Sequence, residues 1–331
     1  MKACFYVHTD PDLVAKMSFY ADDFQILKDL GWTVVLCTNP ARLPVSVDLY
    51  FCWWLGWSVF PAIVSKLIRK PCIIVSPIHL YDKNFGHCTR PWYERKAIEW
   101  SLRHADAVLA VSDIEFQSAC ELGGRNVVRV YHGVRAPAHL PARESRRPLV
   151  FSIGHLFAAA IRRKGFDNVI RAAPLVLDKH PDARFVVAGS IGSGFFLDEL
   201  AEKLGVSAYI NFPGRISNEE RTQYYSTARV FAQPSEYEGF GLAQLEAMSY
   251  GLPVVTSPSG ALPEVVGPSG LYCDKDNPSD IARCIISLLS ERSLWESLSR
   301  SGRERAVTHF SYERRRNEVG RIIYQVLKSR H

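Results

Sequence analysis

Short apolar runs rich in β-branched residues alternate along the whole chain with segments whose apolar positions recur every three to four residues. That alternation is the signature of parallel sheets covered by helices. The runs predict strands near 3–8, 33–38, 48–52, 72–76, 107–111 and 126–130, and again near 149–153, 184–189, 208–212, 229–233, 253–257 and 270–273. Between the two sets, Arg135 to Pro148 reads RAPAHLPARESRRP, rich in Pro, Ala and charge and without an apolar period, and this stretch reads as a linker. Beyond residue 278 the pattern is helical only, ending in Tyr312 to Lys328, where Val319, Ile322, Ile323, Val326 and Leu327 recur at helical spacing. The expected fold class is therefore α/β. Two Rossmann-like, doubly wound domains, 1–140 and 141–310, are followed by a C-terminal helix, 311–331, packing back toward the first domain. Ligands of such sheets sit beyond the carboxyl ends of the strands, so two domains facing each other would share one central cleft.

A length of 331 residues supports two cores of ordinary size, and 22% charged residues against 47% hydrophobic ones excludes a disordered chain. The net charge of +6 is spread over both halves and does not suggest nucleic-acid binding. The eight cysteines lack Cys-x-x-Cys spacing and several fall in apolar runs, as reduced thiols of a cytoplasmic protein do. The amino terminus enters a strand at once, without the features of a signal peptide, and the apolar run from Leu49 to Val64 is too short for a membrane span. Two features nevertheless point to weak association with an anionic membrane surface: the Trp53-Trp54-x-x-Trp57 cluster, and a tail carrying Arg300, Arg303, Arg305, Arg314, Arg315, Arg316 and Arg321. For the tail, a solvated helix face is the alternative.

The most informative segment is Pro234 to Gly251, PSEYEGFGLAQLEAMSYG, directly after an apolar strand. Gly239 and Gly241 permit a sharp turn, and the amides of Phe240, Gly241 and Leu242 open a helix whose positive end favours phosphate. Glu246 lies four residues after Leu242, on the same face, and leans back toward the helix start. Together with Glu238 it places two carboxylates beside an anion site, which suits a ligand carrying sugar hydroxyls next to phosphate.

Glu238-Gly-Phe-Gly-Leu-x-x-x-Glu246, followed by Ala-Met-x-x-Gly-Leu-Pro-Val-Val, resembles the Glu-x7-Glu signature of the family 4 glycosyltransferases, retaining enzymes of the GT-B fold. The resemblance implies that Glu238 contacts the transferred sugar, Glu246 the ribose hydroxyls, and Gly239, Phe240, Gly241 and Leu242 the sugar and diphosphate. Asn211-Phe-Pro-Gly214-Arg-Ile resembles the loop that meets the nucleobase, here through Arg215 and Ile216. Lys164-Gly165 matches the family's phosphate-binding lysine. Its arginine is replaced by His155, so that either His155 or one of Arg162 and Arg163 takes that place, Arg163 being preferred. His79 matches a histidine lining the donor sugar. The loop from His8 to Phe19 lacks the family's glycine pair, which leaves the acceptor side undefined.

Asp10-Pro-Asp12 and Asp274-Lys-Asp276 match Asp-x-Asp formally but lack its context, and no metal or other cofactor is expected. The loop Gly189 to Gly194 lacks the acidic partner of a dinucleotide site. The expected function is transfer of a hexose from a nucleoside-diphosphate sugar to a hydroxyl of a glycan or lipid-linked acceptor, in the cytoplasm or on the inner membrane face. The alternatives are a phosphorylase or epimerase of the same fold, and a non-catalytic nucleotide-sugar-binding or membrane-docked scaffold.

Overall fold

In the computed structural model, which describes residues 1–83 and 86–329, each expected strand forms, and the packing divides the chain into two units. One comprises Met1–Gly133 with Tyr312–His331, the other Val134–Ser311; the last two residues of the expected tail lie outside the described residues.

The first unit contains β1 (Lys2–Val7), β2 (Thr33–Cys37), β3 (Leu49–Trp53), β4 (Cys72–Ser76), β5 (Ala107–Ala110) and β6 (Val127–Arg129), in the order β2-β1-β3-β4-β5-β6, every pair parallel. β3 and β4 are buried along their whole length, which is why they read as unbroken apolar runs rather than alternating ones. Trp53 belongs to this interior. At 1% exposure it stacks on the His132 ring, 5.8 Å away and tilted by only 4°, and the indole N–H of Trp54 donates to the Tyr20 hydroxyl. Of the three tryptophans expected at a membrane, only Trp57 is well exposed.

The helix Tyr312–Lys328 belongs to the same unit and does not present its arginines uniformly to solvent. Arg315, 2% exposed, donates from Nε and a terminal nitrogen to both oxygens of the fully buried Asp23 at 2.7 Å, and to the carbonyls of Val130 and Tyr131 at 3.1 and 2.8 Å. Deleting one partner would strand a buried charge, at a cost of about 3–5 kcal/mol. Arg314 pairs with Glu318 at 2.9 Å. The solvated-face reading therefore fails at the centre of the basic run.

The second unit contains β7 (Leu149–Ile153), β8 (Arg184–Ala188), β9 (Ile210–Asn211), β10 (Val230–Gln233), β11 (Val254–Thr256) and β12 (Leu271–Tyr272), again parallel, in the order β12-β11-β10-β7-β8-β9. Helices Phe166–Lys179 and Pro278–Ser290 supply Val169, Ile170, Ala173, Ile281, Ile285 and Leu288 to one core. The segment read as a linker is in part packed into this unit. Arg146 is 2% exposed and its guanidinium donates to the carbonyls of Tyr225, Ala228 and Tyr250 at 2.8, 2.9 and 2.6 Å. Its composition is that of a linker because Arg146 is held by carbonyls rather than by an apolar period.

Candidate functional site

The second sheet reverses its winding between β7 and β10, the place in an open parallel sheet where ligands are commonly held. After β7 the chain passes Gly154 and His155 and enters the helix Ala158–Lys164, which Gly165 closes in the left-handed conformation at φ 70°. Lys164 points back over β7. A Cβ at Gly154 would lie 2.7 Å from Lys164 Cδ, so a glycine there makes room for the lysine stem. After β10 the chain forms the loop from Pro234 to Gly241 and enters the helix Leu242–Ser249. Gly241 adopts φ 99° and provides no capping side chain, which leaves the positive end of that helix to be satisfied otherwise.

These two loops meet at an ion pair. Lys164 Nζ donates to Glu238 Oε1 at 2.8 Å, both side chains being 13% exposed, and Gln233 Nε2 and Ser235 Oγ donate to the same oxygen at 2.9 and 3.0 Å. Burial alone would raise the Glu238 carboxyl. The charges of Lys164 and Arg163, with the hydrogen bonds from Lys164 and Ser235, outweigh it and bring the pKa down to about 2. Glu238 is thus an ionised acceptor at any physiological pH.

Arg163 donates to the Tyr237 carbonyl at 3.3 Å, bracing the same loop. His155 lies within the field of Lys164, Arg163 and Arg215, and desolvation together with those charges pushes its pKa below the ordinary histidine value. Arg215 is anchored by its Nε on Ser190 Oγ at 3.0 Å, with the half-buried Ile216 beside it in sequence. Cationic and neutral donors therefore gather round one carboxylate at the carboxyl ends of the strands. Gly239, Phe240 and Leu242 lie where the sequence places them; the Phe240 ring is buried and packs edge-on to Phe310 at 5.8 Å.

Glu246 occupies the first turns of the following helix but has different partners. Tyr225, itself buried, donates its hydroxyl to Oε2 at 3.0 Å, and an Arg221 terminal nitrogen lies 3.7 Å from Oε1. Arg162 is turned away and stacks over Phe196. His79 lies in the first unit, in the left-handed region at φ 52°, where its Nδ1 and backbone N–H both engage the buried Glu115. The Asp-x-Asp segments are local turns: Asp10 accepts from the Asp12 amide and Asp274 from the Asp276 amide, each at 3.0 Å. Gln233, Ser235, Tyr225 and Arg221 were not anticipated. Gln233 could have been noticed as a polar residue closing an otherwise apolar strand, whereas Tyr225 and Arg221 reach Glu246 from a helix with no apolar signature.

Two six-stranded parallel sheets, each doubly wound, make up the GT-B fold. HepE of Anabaena, solved in complex with UDP and glucose, superposes with a TM-score of 0.78 at 18% identity, over 98% of this chain and 100% of that one, and so shares the fold. Residues 141–305, within the second unit, match the family model described as glycosyl transferases group 1. The chain is 38% identical over 87 residues to an uncharacterized glycosyltransferase of Methanocaldococcus jannaschii, covering 26% of this chain and 22% of that protein. It is 33% identical over 214 residues to the sulfoquinovosyl transferase SQD2 of Arabidopsis thaliana, covering 59% and 39% respectively. The similarity thus spans between about a fifth and two fifths of these relatives' lengths.

Proposed function

We propose that the chain is a retaining glycosyltransferase that takes a hexose from a nucleoside-diphosphate sugar and joins it to a hydroxyl of a glycan or lipid-linked acceptor. The observation that carries this reading is the Lys164–Glu238 pair at the sheet reversal, beside a helix start without a capping side chain. The helix start and Lys164 receive the diphosphate, Arg163 and His155 flank it, and Glu238 accepts from a hydroxyl of the departing sugar. Glu246, braced by Tyr225, accepts from the ribose, and the loop at Arg215 and Ile216 meets the base. The acceptor oxygen attacks the anomeric carbon on the face the diphosphate leaves, and its proton passes to a phosphate oxygen. The complex of HepE with UDP and glucose makes a uridine nucleotide the first donor to test.

Saturation-difference NMR with UDP-, GDP- and ADP-sugars, followed by an assay of donor hydrolysis, tests the reading. Binding without hydrolysis or transfer would favour the nucleotide-sugar-binding scaffold. Turnover is expected to survive EDTA, because a lysine and a helix start take the place of a divalent ion; activity lost to EDTA and restored by Mn²⁺ overturns that part.

For a lipid-linked acceptor the supporting observation is in the first unit. Phe60, Ile63 and Leu67, spaced three and four apart on the helix Val59–Leu67, are 43%, 42% and 78% exposed, with Lys66, Arg69 and Lys70 at its end. Flotation with anionic but not neutral vesicles is expected, and equal flotation with both removes the anionic-surface reading.

A further inference from the structure

Three donors converge on Glu238 Oε1: Lys164 Nζ at 2.8 Å, Gln233 Nε2 at 2.9 Å and Ser235 Oγ at 3.0 Å. A carboxylate oxygen offers about two lone-pair directions, so one donor is surplus. Oε2 has no donor among the described residues, although the carboxylate is buried enough to need its partners.

The three donors differ in how firmly they are held. Lys164 is an ammonium on a flexible stem, and a diphosphate would compete for it directly. Gln233 closes β10 and is fully buried, and its carbonyl receives Thr256 Oγ1 at 3.3 Å and Gln244 Nε2 at 3.4 Å. Its amide oxygen is buried without a partner among the described residues, so the orientation of the amide is set through Nε2 alone, which meets Glu238 and, at 3.3 Å, Ser235 Oγ. An unpaired buried amide oxygen is a cost that an apolar residue at this strand end would avoid. Ser235 is equally buried; its amide donates to the Gln233 carbonyl at 3.0 Å and its own carbonyl accepts from Ser257 Oγ.

We propose that Gln233 and Ser235 are positioning residues: they keep Oε1 engaged and Oε2 turned to the donor sugar when Lys164 transfers its hydrogen bond from Glu238 to the diphosphate. The surplus donor is then the one the substrate removes, and the carboxylate keeps its direction through turnover. This inference rests on the transferase reading above.

The experiment compares wild type, Gln233→Leu, Ser235→Ala and the double variant. Measured for each are nucleoside-diphosphate Kd by calorimetry, donor KM, and kcat as a function of pH. Each single variant is expected to lower kcat about 10-fold, with donor KM and nucleoside-diphosphate Kd within about 2-fold of wild type. The double variant is expected to fall further and to move the acid limb of kcat to higher pH, because Glu238 loses two bonds that favour its ionised form. A purely structural role would not move that limb. Unchanged kcat and acid limb in the folded single variants overturn the inference, as does a loss of nucleoside-diphosphate affinity that matches the loss of kcat. A wild-type chain that neither binds nucleoside diphosphate nor turns over any donor overturns the transferase reading itself.

Discussion

The two sheet reversals share a winding principle and differ in chemistry. In the first unit the order changes between β1 and β3, and the loops leaving those strands meet through aromatic rings: His8 stacks on Trp57 at 3.9 Å, and Trp57 on Phe60 at 5.8 Å. In the second the change falls between β7 and β10, and the meeting groups are a lysine and a glutamate, with further cations around them. Topology sets where loops converge, and the side chains decide what the convergence can hold. A desolvated ion pair suits charge that develops on a leaving group. A half-exposed indole suits the apolar face of a sugar or an acyl chain.

The largest expected effect comes from breaking the ion pair. Lys164→Met should lower kcat/KM by about 10³-fold and destabilise the second unit by roughly 3 kcal/mol, since a buried carboxylate is left unpaired. Donor kinetics and thermal denaturation check this, and near-normal turnover would mean the phosphate is held elsewhere. The acid response gives a second reading of the same pair. The folded Glu238 pKa lies below its ordinary value of 4.5, at about 2. Its stabilisation is therefore fully present above about pH 4.5 and lost as the pH falls toward 2, and Lys164→Met should move that loss to higher pH.

Next come the two glutamates, whose partners predict different failures. Glu238→Gln should lower kcat about 10²-fold while nucleoside-diphosphate affinity stays nearly intact, as expected for a charge-assisted contact made chiefly at the transition state. Glu246→Gln should raise donor KM and nucleoside-diphosphate Kd about 10-fold with kcat little changed, as expected for uniform binding. Reversed behaviour of the pair would exchange their roles. The smallest effect belongs to the aromatic side: Trp57→Ala should raise acceptor KM about 5-fold and leave donor hydrolysis unaltered. A loss of donor hydrolysis in that variant would break the division of labour between the two reversals.

The inner strands were legible because parallel strands buried on both faces appear as unbroken apolar runs, and even the two-residue, partly exposed β9 fell within an expected segment. Glu238 and Glu246 were legible because their chemistry is packed into one strand, loop and helix. The partners of that loop were harder to see. Lys164 was recognised, but its contact with Glu238 spans 74 positions, and the Tyr225–Glu246 contact spans 21 from a helix with no apolar stripe. The basic tail misled for the same reason: Arg315 reads as one of three consecutive solvated charges, while its partner Asp23 lies 292 positions away. The tryptophan cluster misled because the strand pattern cannot tell an interior indole such as Trp53 from an exposed one such as Trp57.

By itself, then, the sequence determined the fold class, the strand positions and the strand, loop and helix that carry Glu238 and Glu246, because each follows from local periodicity and from residues adjacent in the chain. Tertiary structure alone decided which charges face one another, which indole is buried, and which two neutral side chains share the Glu238 oxygen. Those outcomes depend on distances between strands and helices remote in sequence, and on whether a charge brought into the interior finds a partner there.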